Sequence, residues 1–329
     1  MAIAFRPSVQ PFQPNRPRLN LDNHLKGIAK TAVHWDTRVP ANGWPMDGND
    51  QYGDCVWAAI GHGEQLWSNN AIVPTVQQLL AGYSAVTGFN PNDPNTDQGT
   101  VIADALAYWR RTGVANRKVE LYASINPQNA NVLQQAVEFF GGVNVGIDFP
   151  ASAMTQFNNN QPWTVVQGSP IEGGHCVLIV GYDANYLYVV TWGKVQKMAW
   201  SFWNKYGSEA WAIISRDWLD STGKTPEGLD LYGLGQDFTS LTGQPNPFPA
   251  PSPTPAPTGP TPLPTAPVGP TGSTPPAPTG TTGTTGPVNS ADTVLFNALN
   301  TWSNLNHFGV NLNAANAFKV WAKAKGFIR

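Results

Sequence analysis

Cysteine is the scarcest chemistry-bearing residue here: Cys55 and Cys176 are the only two in 329 residues. A secreted fold braced by disulfides uses more, so stability has to come from packing. Charge is also scarce. Acidic and basic residues make up 12% of the chain and the net charge is -2, without a basic cluster, which argues against nucleic acid or an anionic membrane as the main partner. No apolar run is long enough for membrane insertion, and the opening Met1-Ala2-Ile3-Ala4-Phe5-Arg6-Pro7 soon becomes rich in Pro and Asn. Synthesis in the cytoplasm without an ordinary signal peptide is therefore expected. Cys55 and His175 offer no ligand pair at short spacing, and no Gly loop has the pattern and following helix of a phosphate cradle. Neither a metal nor a cofactor is expected.

What is present is apolar residue in quantity, 41% of the chain, enough for a sizeable core. Residues 1–31 carry Pro7, Pro11, Pro14 and Pro17 and read as an extended arm with no chemical role. Residues 32–243 read as one globular α+β domain, helices first and strands later. Apolar spacing predicts helices after Cys55, over Val76–Tyr83, over Val101–Trp109, from about Pro127 to Phe140, and over Met198–Tyr206. Val143, Val145 and Ile147 alternate as in a half-buried strand. Cys176–Tyr182 and Tyr186–Trp192 form a hairpin across Asp183-Ala184-Asn185, and Ala210–Ile214 returns as a strand. Residues 244–287, almost wholly Pro, Thr, Gly, Ala and Ser, make a spacer. Residues 288–329 suggest a small helical hairpin, read either as a module that docks on a protein or cell-surface target or as a solubilising tail.

The residues best suited to chemistry are Cys55 and one histidine. In Gly53-Asp54-Cys55-Val56-Trp57-Ala58-Ala59-Ile60 the Cys begins a buried helix, where unpaired N–H groups and the helix dipole favour a thiolate. Nucleophilic catalysis also needs a base. His62 shares the helix but stands about 10 Å along it. His24 and His34 lie in the irregular approach, and His307 lies beyond the spacer. His175 remains, opening an apolar strand after Gly173-Gly174. Strand alternation turns Cys176 away from whatever His175 faces, so a disulfide to Cys55 is not expected.

In order along the chain, several motifs resemble those of papain-like (C1-type) cysteine peptidases. Trp35-Asp36-Thr37-Arg38 resembles the entry of that domain, and Asn49-Asp50-Gln51-Tyr52-Gly53-Asp54-Cys55-Val56-Trp57-Ala58 resembles its nucleophile block. Gln98-Gly99 with the following helix is similar to the cleft wall. Leu133-Gln134-Gln135-Ala136-Val137 with Val143-Asn144-Val145-Gly146-Ile147 resembles its helix and strand. Gly174-His175-Cys176-Val177-Leu178-Ile179-Val180-Gly181-Tyr182 resembles the His signature, and Thr191-Trp192-Gly193 falls where Ser-Trp-Gly is expected. The resemblance implies a two-lobed fold, a helical lobe beside an antiparallel sheet or barrel lobe. It implies Cys55 as nucleophile and His175 as base in the hydrolysis of peptide bonds through a thioester. The oxyanion would be held by the Cys55 N–H and a side-chain amide, Gln51 by slight preference over Asn49. Gln98, Gly99, Gly174 and Trp192 would line the substrate site.

Four departures bear on activity. Val190 occupies the place of the orienting Asn, so Thr191 is the nearest polar substitute. The Cys pairs of the family's helical lobe are missing, and only a short arm precedes the domain in place of an inhibitory pro-segment. Met198–Tyr206 is an insertion. Alternatives are therefore a catalytically silent papain-like domain used for binding or structure, and a thiol peptidase of bacterial cell-wall peptides.

Overall fold

The computed structural model describes residues 5–250. Most of the expected spacer and all of the module at 288–329 lie outside the described residues. Three helices form one side: α1 (Cys55–Trp67), α2 (Val76–Thr87) and α3 (Ile102–Arg111). Thr75 starts α2 with a capping box, its hydroxyl accepting from the Gln78 N–H while the Gln78 side chain accepts from the Thr75 N–H. Every residue of α1 is buried, because the helix lies between its two companions and the sheet.

That sheet contains β1 (Val33–His34), β2 (Val119–Ile125), β3 (Val143–Pro150), β4 (Ile171–Tyr182), β5 (Tyr186–Thr191), β6 (Lys194–Ala199) and β7 (Gly207–Ser215). Its order is β2-β7-β3-β4-β5-β6, all antiparallel, with β1 added beside β4. On its other face and at its ends lie α4 (Ala130–Phe140), α5 (Ala151–Asn158), α6 (Trp200–Tyr206) and α7 (Tyr232–Thr242). The two-residue period of β4 divides the core. Val177 and Ile179 join the cluster of α4 and α5, whereas Cys176, Leu178 and Val180 join the cluster of α1 and α3.

Several sequence expectations are corrected. α4 begins at Ala130, where the Asn129 side chain accepts from the Val132 N–H, and not at Pro127. β3 is buried on both faces because it is a central strand. Met198 and Ala199 belong to β6, so the helix there begins only at Trp200. Strands β2 and β6 and helix α5 were not expected at all. The C-terminal carbonyls of α4 show why so many indoles are buried. Trp67 and Trp218 donate Nε1–H to the Phe140 and Phe139 carbonyls that the helix end leaves open, and half-buried Trp35 donates to the Val137 carbonyl, which also accepts the Gly141 N–H, at 2.8 Å each.

The arm before the domain is packed and not merely laid on the surface. Leu19, Leu21 and Leu25 are buried against the core, each contributing about 2 kcal/mol of transfer free energy. Val9 and Asn20 form parallel bridges to Thr100 and Ser124. Among the described residues no helix is long and apolar enough to cross a membrane.

Candidate functional site

The turn before α1 is pinned first. Gly53 donates its N–H to both oxygens of Asp97, at 3.0 and 2.9 Å, and the Tyr83 hydroxyl donates to the same carboxylate at 2.8 Å. Asp54 precedes the helix, fully buried, and burial holds its carboxyl well above the usual range. Asn49 donates Nδ2 to Asp54 at 3.2 Å, whereas Gln51 stands exposed in the same turn. Cys55 follows at the first position of α1, with only 1% of its surface exposed.

Its sulfur meets the middle of β4, because the strand begins at Ile171 and Gly173-Gly174-His175 lie inside it and do not lead into it as expected. The Cys176 N–H donates to Cys55 Sγ at 3.1 Å and both cysteines are free thiols, but Cys176 shares the core cluster of Cys55 and is not turned away from it as the alternation argument expected. His175 faces the opposite side, among Phe149, Trp163 and Trp192. Its Nε2 lies 2.9 Å from Thr191 Oγ1, while Nδ1 is buried without a partner. Val190 points into the helical-side cluster and makes no such contact.

Trp192 and Gly193 make the two-residue turn from β5 to β6, and such a turn needs positive φ at both positions. Trp192 adopts φ +44°, unfavourable for a bulky residue. Its ring stacks on His175 at 4.3 Å and 10°, and meets Phe157 edge-on at 4.8 Å. Packing against these neighbours offsets the backbone cost and fixes the imidazole plane.

No chemical role was expected of the arm, yet the arm crosses this site. Ser8 donates its hydroxyl to Cys55 Sγ at 2.7 Å. The N–H groups of Ser8 and Val9 reach the Gly174 carbonyl at 3.1 and 3.3 Å. Gln10 N–H donates to the Thr100 carbonyl and Thr100 N–H to the Ser8 carbonyl, both at 3.0 Å, while Gln10 Nε2 donates to the Gln98 carbonyl. A Cβ on Gly99 would come within 2.4 Å of the Ser8 carbonyl oxygen, and one on Gly174 within 2.7 Å of the Val9 carbonyl oxygen. The glycines permit this approach. Phe5 stacks on Phe149 at 4.5 Å and touches His175 edge-on at 5.8 Å. Ser8, Phe5 and Phe149 carried no signal in the sequence, since their role depends on the path of the arm.

Covering sets the electrostatics. Burial pushes the Cys55 thiol up to about 12, and the Ser8 hydroxyl and Cys176 N–H oppose it by less. Burial also pulls the His175 imidazole down to about 3. Both groups are neutral near pH 7, so no thiolate–imidazolium pair forms in this state. The other described histidines are accounted for elsewhere. His62 bonds the Pro45 carbonyl at 2.9 Å inside the core, His24 meets Asp237 at 3.0 Å, and His34 packs edge-on against Tyr188.

No protein-family model and no curated protein matches the sequence. Solved structures do show similarity. Xylellain, a cysteine protease from Xylella fastidiosa, matches at 14% identity over 65% of this chain and 99% of that chain, with a TM-score of 0.49. Digestive procathepsin L 3 of the Tenebrio molitor larval midgut matches at 17% identity over 60% of this chain and 73% of that chain, with a TM-score of 0.45. The described residues set a Cys-led helix against a strand of an antiparallel sheet that carries His175 at its fifth position.

Proposed function

We propose that the chain is a papain-like cysteine peptidase whose N-terminal arm covers the site. The observation that carries this reading is the contact of His175 Nε2 with Thr191 Oγ1, on a residue whose neighbour, Cys176, donates to the nucleophile's sulfur. If Nε2 carries the proton and donates it to Thr191, Nδ1 is left as the base. In the covered state the imidazole makes no hydrogen bond to Cys55 Sγ, so it has to turn to the sulfur once the arm is displaced. Nδ1 then takes the Cys55 proton, the thiolate adds to the substrate carbonyl, and the oxyanion takes hydrogen bonds from the Cys55 N–H and the Gln51 amide. His175 then returns the proton to the leaving amine, giving a thioester. Water, deprotonated by His175, attacks it, releasing the acid and the thiol.

The arm fits as a cover and not as a substrate. His175 protonates the leaving amine, so a substrate places its leaving half on the His175–Trp192 side and its acyl half on the Thr100 side. The arm runs the other way, from Phe5 at His175 to Gln10 at Thr100. Its Ser8 carbonyl is already taken by the Thr100 N–H.

A catalytically silent binding domain is the second reading, favoured by Val190 at the expected Asn position and by the neutral, covered thiol. Reaction with a thiol-directed peptidyl inhibitor, followed by intact mass on wild type, Cys55→Ala and His175→Ala, separates the two. The peptidase reading expects one adduct in wild type, none in Cys55→Ala, and a loss of at least about a hundredfold in rate in His175→Ala. Modification indifferent to His175→Ala would support the silent domain.

A further inference from the structure

The sulfur of Cys55 has a second thiol beside it that the proposed reaction leaves unused. Strand β5 pairs with β4 only from Leu178 onward, and at Cys176 its place is taken by Cys55 Sγ, which accepts the Cys176 N–H at 3.1 Å. One N–Cα bond and one cysteine side chain complete the path between the two backbones. Allowing for the bend at the nitrogen, the Cα atoms stand within about 7 Å, the outer limit for a disulfide. Both side chains belong to the core cluster on the α1 face of the sheet, so joining them asks for a turn of side chains and not for a new strand register. On its other flank Cys176 pairs with Gly146 of β3, and Glu209 of β7 lies across that glycine.

Reach and protonation make the two thiols unequal. Lifting the arm takes the Ser8 hydroxyl off Cys55, whereas Cys176 stays buried inside β4 with Cys55 against its N–H. A reagent from solvent therefore meets Cys55 first. Burial holds the Cys176 thiol well above its usual range, and negative charge on Cys55 or Glu209 raises it further. With the arm lifted, Cys55 is the one that ionises, and ionised thiols are the ones that oxidise. Once the Cys55 sulfur is oxidised and neutral, its repulsion of charge on Cys176 is gone.

We propose that Cys55 and Cys176 form a reversible oxidation site, in which Cys176 resolves a Cys55 oxidised by peroxide. The Cys55 thiolate attacks one peroxide oxygen, the O–O bond breaks, and sulfenic acid forms as hydroxide leaves. The Cys176 sulfur then attacks the Cys55 sulfur: the S–S bond forms, the S–O bond breaks, and the Cys176 proton departs with the hydroxyl as water. A small dithiol restores both thiols by exchange and is itself oxidised to a disulfide. A thiol held this close acts at an effective concentration of about 1 mM or more, so it outruns a second attack by peroxide at about 0.1 mM. The bridge silences the nucleophile and keeps it from sulfinic acid, which thiols do not reverse. It needs the arm to leave the sulfur and does not depend on peptide hydrolysis. Were Cys176 only a small apolar filler, alanine would leave the fate of an oxidised Cys55 unchanged.

The test treats the full, reduced chain with hydrogen peroxide at that concentration and reads peptic peptides by mass spectrometry, before and after dithiothreitol. Wild type, Cys176→Ala and Ser8→Leu, which crowds the arm off the sulfur, are compared, with circular dichroism as the check on folding. Wild type should give the Cys55 peptide joined to the Cys176 peptide, sooner in Ser8→Leu, and dithiothreitol should part them. Cys176→Ala should collect sulfinic acid on Cys55 at least about tenfold faster than wild type, the ratio of the two effective concentrations. If Cys176→Ala does not fold, the joined peptide in the other two chains decides alone. Absence of that peptide from both wild type and Ser8→Leu would overturn the proposal, whether Cys55 stays a thiol or goes on to sulfinic acid. So would a link found only between separate chains, or equal sulfinic acid in wild type and folded Cys176→Ala.

Discussion

Ser8→Leu tests whether the arm keeps the thiol silent. Ser8 is 2% exposed, its Oγ lies 2.7 Å from Cys55 Sγ, and Gly99 abuts its backbone, so a leucine side chain has no room unless the arm lifts. The arm is held here by backbone bonds between Ser8 and Gly174, Val9 and Gly174, Gln10 and Thr100, and Thr100 and Ser8. At about 1 kcal/mol net each, they favour the closed state by about 4 kcal/mol, leaving roughly one molecule in a thousand open. Overpacking typically costs about 1–3 kcal/mol, which would raise the open fraction by about five- to a hundredfold. With its thiol at about 12, the closed form has almost no thiolate at neutral pH. Exposure returns the thiol toward about 8.5, so alkylation follows the open fraction. The assay is alkylation by iodoacetamide at about pH 7.5, read by intact mass, with Cys55→Ala as the control for reaction at Cys176. Ser8→Leu should react at least about fivefold faster than wild type. A folded Ser8→Leu that reacts no faster would refute the covering role.

Once the arm is displaced, Thr191→Val should lower kcat/KM on a peptide substrate by about ten- to a hundredfold, with Thr191→Asn restoring most of it. Equal rates in Thr191→Val and wild type would remove Thr191 from the mechanism. Gln51→Ala should lower kcat by about a hundredfold with little change in Tm, whereas Asn49→Ala should chiefly lower Tm because buried Asp54 loses its donor. The reverse pattern would transfer the oxyanion role to Asn49. Burial raises the Glu64 carboxyl from 4.5 to about 7. A carboxyl raised on folding contributes stability that is complete below its unfolded pKa and is lost as pH rises through its folded one. Glu64→Gln, which can still accept from Trp109, should therefore gain Tm relative to wild type between about pH 4.5 and 7.5. Parallel Tm profiles for the two proteins would contradict the assigned burial cost.

The local chemistry was legible because it is written at short range. Helical spacing after Cys55 and the polar turn at Asp183-Ala184-Asn185 each depend on neighbouring residues, and α1 and the β4–β5 hairpin appear where those signals lie, whereas the Gly-Gly pair read as a loop before His175 is part of β4. Strand alternation likewise separated Cys176 from His175 correctly. The sequence could not say that β3 is central, since burial on its second face comes from partners far along the chain. Nor could it put the Ser8 hydroxyl on Cys55 or Glu209 across Gly146, because an extended arm and a strand register acquire their neighbours only when remote segments pack. Residue type and short-range period thus determined which groups can react. Tertiary packing decided which of them are covered and what charge they carry, because burial sets the cost of ionising a thiol, an imidazole or a carboxyl.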